Sequence, residues 1–173
     1  MLTAENIAGK SLSFQMIIKM YQHILDKLPY KSSFRFVDTI LSLDEKGVTG
    51  EYTLRKDAFF YEDHFVGNPV TPGVIVTEIM AQIGVVVLGI YYILNSPEYT
   101  EVRGENLFPL LTSTEVSFYK MVFPGQKLTV ISQQQYFRFG KLKCYIEALG
   151  EDNELVARGM FAGVIKKTDK KDN

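Results

Sequence analysis

The sequence predicts an α+β fold, with one long buried helix and an antiparallel sheet packed around it. Three observations carry that prediction. Between Pro72 and Asn95 the only strongly polar side chains are Thr77, Glu78, Gln82 and the closing Asn95. Residues 34–54 read as a β-hairpin, and the chain after residue 115 falls into strand-length runs separated by Gly- and Pro-bearing turns.

The apolar segment decides the class. A helix hydrophobic on nearly all sides is either a membrane span or the centre of a fold. Its uninterrupted apolar stretch runs only from Ile83 to Leu94, a carboxylate lies within the longer run, and no Lys/Arg clusters flank it. These features predict a buried core helix and no membrane span. Its valines favour a strand by propensity, so the helix assignment rests on length and punctuation. Pro72-Gly73 opens the helix and Asn95-Ser96-Pro97 stops it.

The other elements follow in order. A first helix is expected over about residues 12–28, where Met16, Ile17, Met20, Tyr21, Ile24, Leu25 and Leu28 form an apolar stripe. The hairpin pairs Phe34–Leu43 with Val48–Leu54 across a turn at Asp44 to Gly47. Glu115–Tyr119, Lys127–Phe139, Lys141–Leu149 and Glu154–Lys166 are successive strands, read as an antiparallel meander. At 173 residues, with 46% apolar and 13% aromatic content, residues 1–173 fit one domain, closed by a frayed basic tail over about residues 166–173.

Charge and cysteine usage exclude several classes of function. A net charge of −1 provides no basic field, so nucleic acid is not an expected partner. Two distant histidines and the single Cys144 offer no metal-ligand spacing and no intrachain disulfide. No metal or other cofactor is expected. A lone thiol and the lack of a signal-peptide pattern point to the cytoplasm.

The chemistry-bearing residues are few. His23 falls among the polar positions of the first helix and reads as solvated surface. His64 lies on an irregular loop, Phe60-Tyr61-Glu62-Asp63-His64-Phe65-Val66-Gly67-Asn68-Pro69-Val70-Thr71-Pro72-Gly73. Glu78 follows within the apolar helix, one turn before Gln82 on the same face. A base on a loop and an acid in an apolar helix point to proton chemistry, because a buried carboxylate is costly unless it is paired or protonated. The free amides of Gly73 and Val74 at the helix start are suited to polarising a carbonyl oxygen. The plain alternatives are a loop histidine with one backbone bond, and a Glu78–Gln82 pair that only braces the core.

The run His64-Phe65-Val66-Gly67-Asn68-Pro69-Val70-Thr71-Pro72-Gly73-Val74, followed by Glu78-Ile79-Met80-Ala81-Gln82, closely resembles the signature of the FabZ/FabA hydroxyacyl-acyl-carrier-protein dehydratases. The likeness spans roughly residues 28–165. Leu28–Phe34 with Val37-Asp38 resembles the family's opening strand, and Val122–Leu128 its later Pro-Gly turn. It implies a hot-dog fold, in which a curved antiparallel sheet wraps one long central helix. It also implies dehydration of (3R)-hydroxyacyl thioesters on acyl carrier protein to trans-2-enoyl thioesters. In that reading His64 removes the proton alpha to the thioester carbonyl and Glu78 protonates the departing hydroxyl. The Gly73 amide binds the thioester oxygen, Gln82 orients Glu78, and the Val70 carbonyl holds the imidazole. The two catalytic side chains of one site come from different subunits, which implies a homodimer, with a trimer of dimers as a larger assembly.

Glutamate at position 78 matches the FabZ pattern, and the FabA enzymes carry aspartate there, which favours dehydration without isomerisation. Asp63, Val66 and Gln126 depart from the usual glycine, proline and acid. The pathway therefore stays open between fatty-acid synthesis and polyene- or polyketide-type synthesis. A hot-dog thioesterase and a non-catalytic acyl-binding subunit are the alternatives. Arg138, Lys141 and Lys143 around Gly140 are candidates for carrier docking, or ordinary surface cations.

Overall fold

Period-two burial sets which side of each strand meets the core. In β5, Lys141–Leu149, the side chains of Leu142, Cys144, Ile146 and Ala148 are buried and their neighbours are not. β4, Lys127–Arg138, buries Leu128, Val130 and Ser132 in the same way, and β2, Gly47–Thr53, buries Val48, Gly50 and Tyr52. The structure, a computed structural model, describes residues 4–95, 97 and 107–167. With β1, Thr39–Asp44, β3, Leu107–Phe118, and β6, Leu155–Lys167, these strands form one antiparallel sheet of six in the order β1-β2-β4-β5-β6-β3.

The expected helix is present from Gly73 to Asn95 as α2, the second helix after α1, Ala4–Asp26. Gly50 of β2 faces Ile83, Ile146 of β5 faces Gly84, and Ile165 of β6 faces Gly89. One helix can meet strands from both halves of a sheet only if the sheet curls around it, so this is the hot-dog arrangement. By length and composition α2 is apolar enough to cross a bilayer, yet 72% of its most apolar window is buried inside the fold. Its all-round hydrophobicity is that of a core helix.

Gly84 allows the helix to pack closely on the sheet. A Cβ there would lie 2.3 Å from Ile146 Cδ1 and 3.1 Å from Ser132 Cβ. Gln82–Val87 is a π-helical turn, and the Gly84 carbonyl accepts a 2.8 Å hydrogen bond from the buried Ser132 hydroxyl. Gly84→Ala is expected to destabilise the protein by roughly 1–3 kcal/mol through overpacking, against a gain of about 1 kcal/mol in helix propensity. Chemical denaturation checks this, and an unchanged or higher midpoint contradicts it.

Several boundaries differ from the sequence reading. α1 starts near Ala4 and ends at Asp26, two residues early, because Pro29 disfavours helical backbone at Leu28. Only the lower half of its stripe is used: Ile24 and Leu28 are buried, whereas Met16 is 69% exposed. Residues 28–38 are not a strand; pairing to β2 starts where the Asp38 amide donates to Glu51. β3 begins at Leu107 rather than Glu115 and crosses to the far side to pair with β6, so only β4, β5 and β6 form a meander. Pro109 masks the strand in the sequence, and it is tolerated because β3 is an edge strand. β6 reaches Lys167, and the rest of the expected basic tail lies outside the described residues.

Candidate active site

The His64 loop is closed by its own backbone. Phe65 and Asn68 exchange amide-to-carbonyl bonds of 3.1 and 2.9 Å around Gly67, whose φ of 74° suits glycine. The Val70 amide donates to the His64 carbonyl at 2.9 Å, and the Tyr61 and Thr71 hydroxyls pair at 2.6 Å beneath. His64 is half-buried, with the Phe65 ring stacked on it at 4.0 Å between centroids. Its Nδ1 lies 2.9 Å from the Val70 carbonyl oxygen. A carbonyl only accepts, so Nδ1 donates the hydrogen, and Nε2 is the ring nitrogen left for proton transfer. His23 is exposed on α1, as its place among polar positions predicts.

Three residues after Val70, α2 starts at Gly73. Pro72 before it provides no side-chain cap, so the first-turn amides have no side-chain acceptor there. A Cβ at Gly73 would lie 3.3 Å from the Phe118 ring, so glycine lets β3 approach the helix start.

Further into the helix, Gln82 has both atoms of its amide group paired, and one of its partners is Glu78. Gln82 is completely buried. Its Nε2 donates to Glu78 Oε1 and to the Phe34 carbonyl, both at 2.9 Å, and its Oε1 accepts the Phe36 amide at 2.8 Å. One side chain thus takes the backbone pairing that residues 34–36 would otherwise make in a strand, and also fixes the carboxyl. Burial pushes the Glu78 carboxyl above its ordinary value, and the Gln82 bond pulls the other way.

Glu78 opens onto a cavity of about 200 Å³ that follows α2 past Ala81 and Val85 to Gly89. That run of helix is about 16 Å long at the usual rise per residue. Leu110 and Gly163 lie across from Val85, and Ile165 and Leu142 line the cavity beside Gly89. Tyr30 also lines it, a residue the sequence reading passed over. His64 is not among the lining residues, so within one chain His64 and Glu78 do not share this cavity. Cys144 is buried and its thiol is pushed up to about 11 by desolvation, which leaves it a core residue.

A model of the FabA-like domain matches residues 28–153. The chain belongs to the FabA-like family. Within it, the chain is 34% identical over 148 residues to the 3-hydroxyacyl-(acyl-carrier-protein) dehydratase FabZ of Caldicellulosiruptor saccharolyticus, covering 83% of this chain and 96% of that protein. It is 27% identical over 154 residues to the FabZ of Rickettsia africae, covering 87% and 98%. Among solved structures, the dehydratase heterocomplex ApeI:P from Xenorhabdus doucetiae has the same fold, with a TM-score of 0.66 at 13% identity over 84% of this chain and 91% of that one. A hypothetical thioesterase from Streptococcus pneumoniae shares the fold more loosely, with a TM-score of 0.52 at 10% identity over 76% and 88%. The FabA-like match covers the loop of His64 and the helix of Glu78 and Gln82 in one stretch.

Proposed function

We propose that this FabA-like chain is a one-domain hydro-lyase that converts (3R)-hydroxyacyl thioesters on acyl carrier protein to trans-2-enoyl thioesters. The observation that carries the reading is the carboxyl of Glu78, braced by Gln82 at the mouth of an apolar cavity, in a chain 34% identical to a FabZ. His64 takes the proton from the carbon alpha to the thioester through Nε2. Electron density moves onto the thioester oxygen, where the Gly73 amide donates to it. As the bond to the hydroxyl breaks, Glu78 delivers its proton to the leaving oxygen, and water departs. The proton gained by His64 and the one lost by Glu78 re-equilibrate through solvent, and the cycle closes.

Two observations support a site shared between two copies in a homodimer. His64 does not line the cavity that holds Glu78. β3 is an unpaired edge of twelve residues with Leu110, Leu111 and Phe118 about half exposed, a surface that soluble proteins cover. A retained acid in the most apolar helix argues against a purely acyl-binding subunit. The buried thiol of Cys144 fits a reducing compartment, and we place the protein in the cytoplasm.

The acyl chain lies along α2, and Gly163 sets its width. A Cβ there would sit 3.0 Å from Val85 Cγ1 and 3.3 Å from the Leu110 carbonyl. Gly163→Ala is expected to lower kcat/KM for medium chains about tenfold relative to short ones, since one methyl group in an acyl pocket carries discrimination of that order. An unchanged chain-length profile contradicts this placement.

Mass analysis of (3R)-hydroxyacyl carrier protein incubated with the purified protein tests the function. Loss of one water from the acyl group supports it. Release of free acid makes the protein a thioesterase, and an unchanged thioester removes the dehydratase reading.

A further inference from the structure

Among the described residues, residues 28–37 lie in no strand, and Phe34 and Phe36 are held from the helix side. Gln82 binds the Phe34 carbonyl and the Phe36 amide. The rings of Tyr30, Phe34, Phe36 and Tyr52 follow one another with centroid distances of 6.1, 5.0 and 5.4 Å, and Phe36 and Tyr52 are buried. The ring contacts tie Tyr30 to this anchored segment. It lines the cavity beside Glu78, half-buried, and among the described residues its hydroxyl has no hydrogen-bond partner. Burial and the Glu78 charge both push the phenol far above its ordinary value, so it stays an O–H donor throughout the working range.

A half-buried donor in the lining of an apolar cavity, close enough to an acid to feel its charge, suits an oxygen on the ligand. The thioester oxygen is assigned to the Gly73 amide at the helix start, which leaves the oxygen on the third acyl carbon for the Glu78 end. We propose that the Tyr30 hydroxyl donates a hydrogen bond to that 3-hydroxyl oxygen, holding it for departure and selecting hydroxylated over saturated acyl groups. The oxygen has two lone pairs, one for the Glu78 proton and one for Tyr30. The bond to Tyr30 strengthens as the carbon–oxygen bond breaks and negative charge gathers on the leaving oxygen. This inference rests on the dehydratase reading for the identity of the ligand.

Tyr30→Phe keeps the ring and its packing and removes only the hydroxyl. The test is titration calorimetry with two pantetheine thioesters, one (3R)-hydroxyacyl and one saturated acyl of equal length, in a His64→Ala background whose turnover is slowed, with the ligand checked by mass to be intact after each titration. Kinetics of Tyr30→Phe with His64 intact accompany it. The hydroxylated ligand is expected to bind about tenfold more weakly and the saturated one unchanged, with kcat lower by about ten- to a hundredfold. Equal weakening of both ligands would make Tyr30 a wall residue, and no change in either would remove it from the site. Both results overturn the proposal. Selective loss of the hydroxylated ligand in a protein that forms no enoyl product would keep Tyr30 as its reader and remove the dehydratase reading instead.

Discussion

His64→Ala is expected to lower kcat by about a hundred- to ten-thousandfold, the usual contribution of one general base, while leaving the fold in place. The ring is half-buried on a loop whose closure does not depend on it. The Phe65–Asn68 pair, the Val70 amide to the His64 carbonyl and the Tyr61–Thr71 hydroxyl pair are all independent of the imidazole. The variant loses the contact from Nδ1 to the Val70 carbonyl and the stacking of the Phe65 ring. Steady-state kinetics with thermal unfolding alongside check both halves. A variant with near-native turnover removes His64 from the mechanism, and one that fails to fold shows the ring to be structural.

Glu78→Gln is expected to cost a similar factor in kcat, because the amide keeps the shape and cannot supply the proton. Its effect on stability has the opposite sign. Burial raises the folded-state pKa of Glu78, so the stability it contributes is fully present below the ordinary carboxylate value and is lost as pH rises through the raised one. The amide does not titrate and still offers an oxygen to Gln82 Nε2. The variant should therefore match wild type in acid and become the more stable protein as pH rises through the folded pKa of Glu78, with the gap levelling off above it. The same shift keeps the acid protonated to higher pH in the wild type, and the alkaline fall in kcat should follow it. Melting curves of both proteins across the acid-to-neutral range decide the matter. A wild type that gains on the variant with rising pH contradicts the buried-acid account.

Much of the site was legible because its signals are local. Pro72-Gly73 and Asn95-Ser96-Pro97 bound a segment too long for a strand, and they outweighed the valines, whose preference the enclosing sheet overrides. Glu78 and Gln82 are one turn apart in any helix, so their 2.9 Å bond follows from spacing. The Gly67 turn and the Val70 carbonyl lie within six residues of His64. What escaped depends on partners far along the chain. Residues 34–36 look like a strand, but their backbone groups are taken by a side chain 46 and 48 residues away. Tyr30 carries no pattern of its own and gains meaning only from the cavity wall that α2 provides. Pro109 hid the start of β3, since nothing local marks an edge strand. The stripe of α1 promised more burial than the fold provides, because no described element covers Met16 or Ile17.

The central claim is that one reaction uses His64 of one copy and Glu78 of another. It is tested most directly by unfolding the two inactive variants, His64→Ala and Glu78→Gln, refolding them together and assaying dehydration, with native mass spectrometry to confirm mixed dimers. A mixed two-fold dimer contains one intact site and one doubly defective one, so random assortment should return about a quarter of wild-type activity. Mixed dimers that remain as inactive as their parents would contradict the shared site.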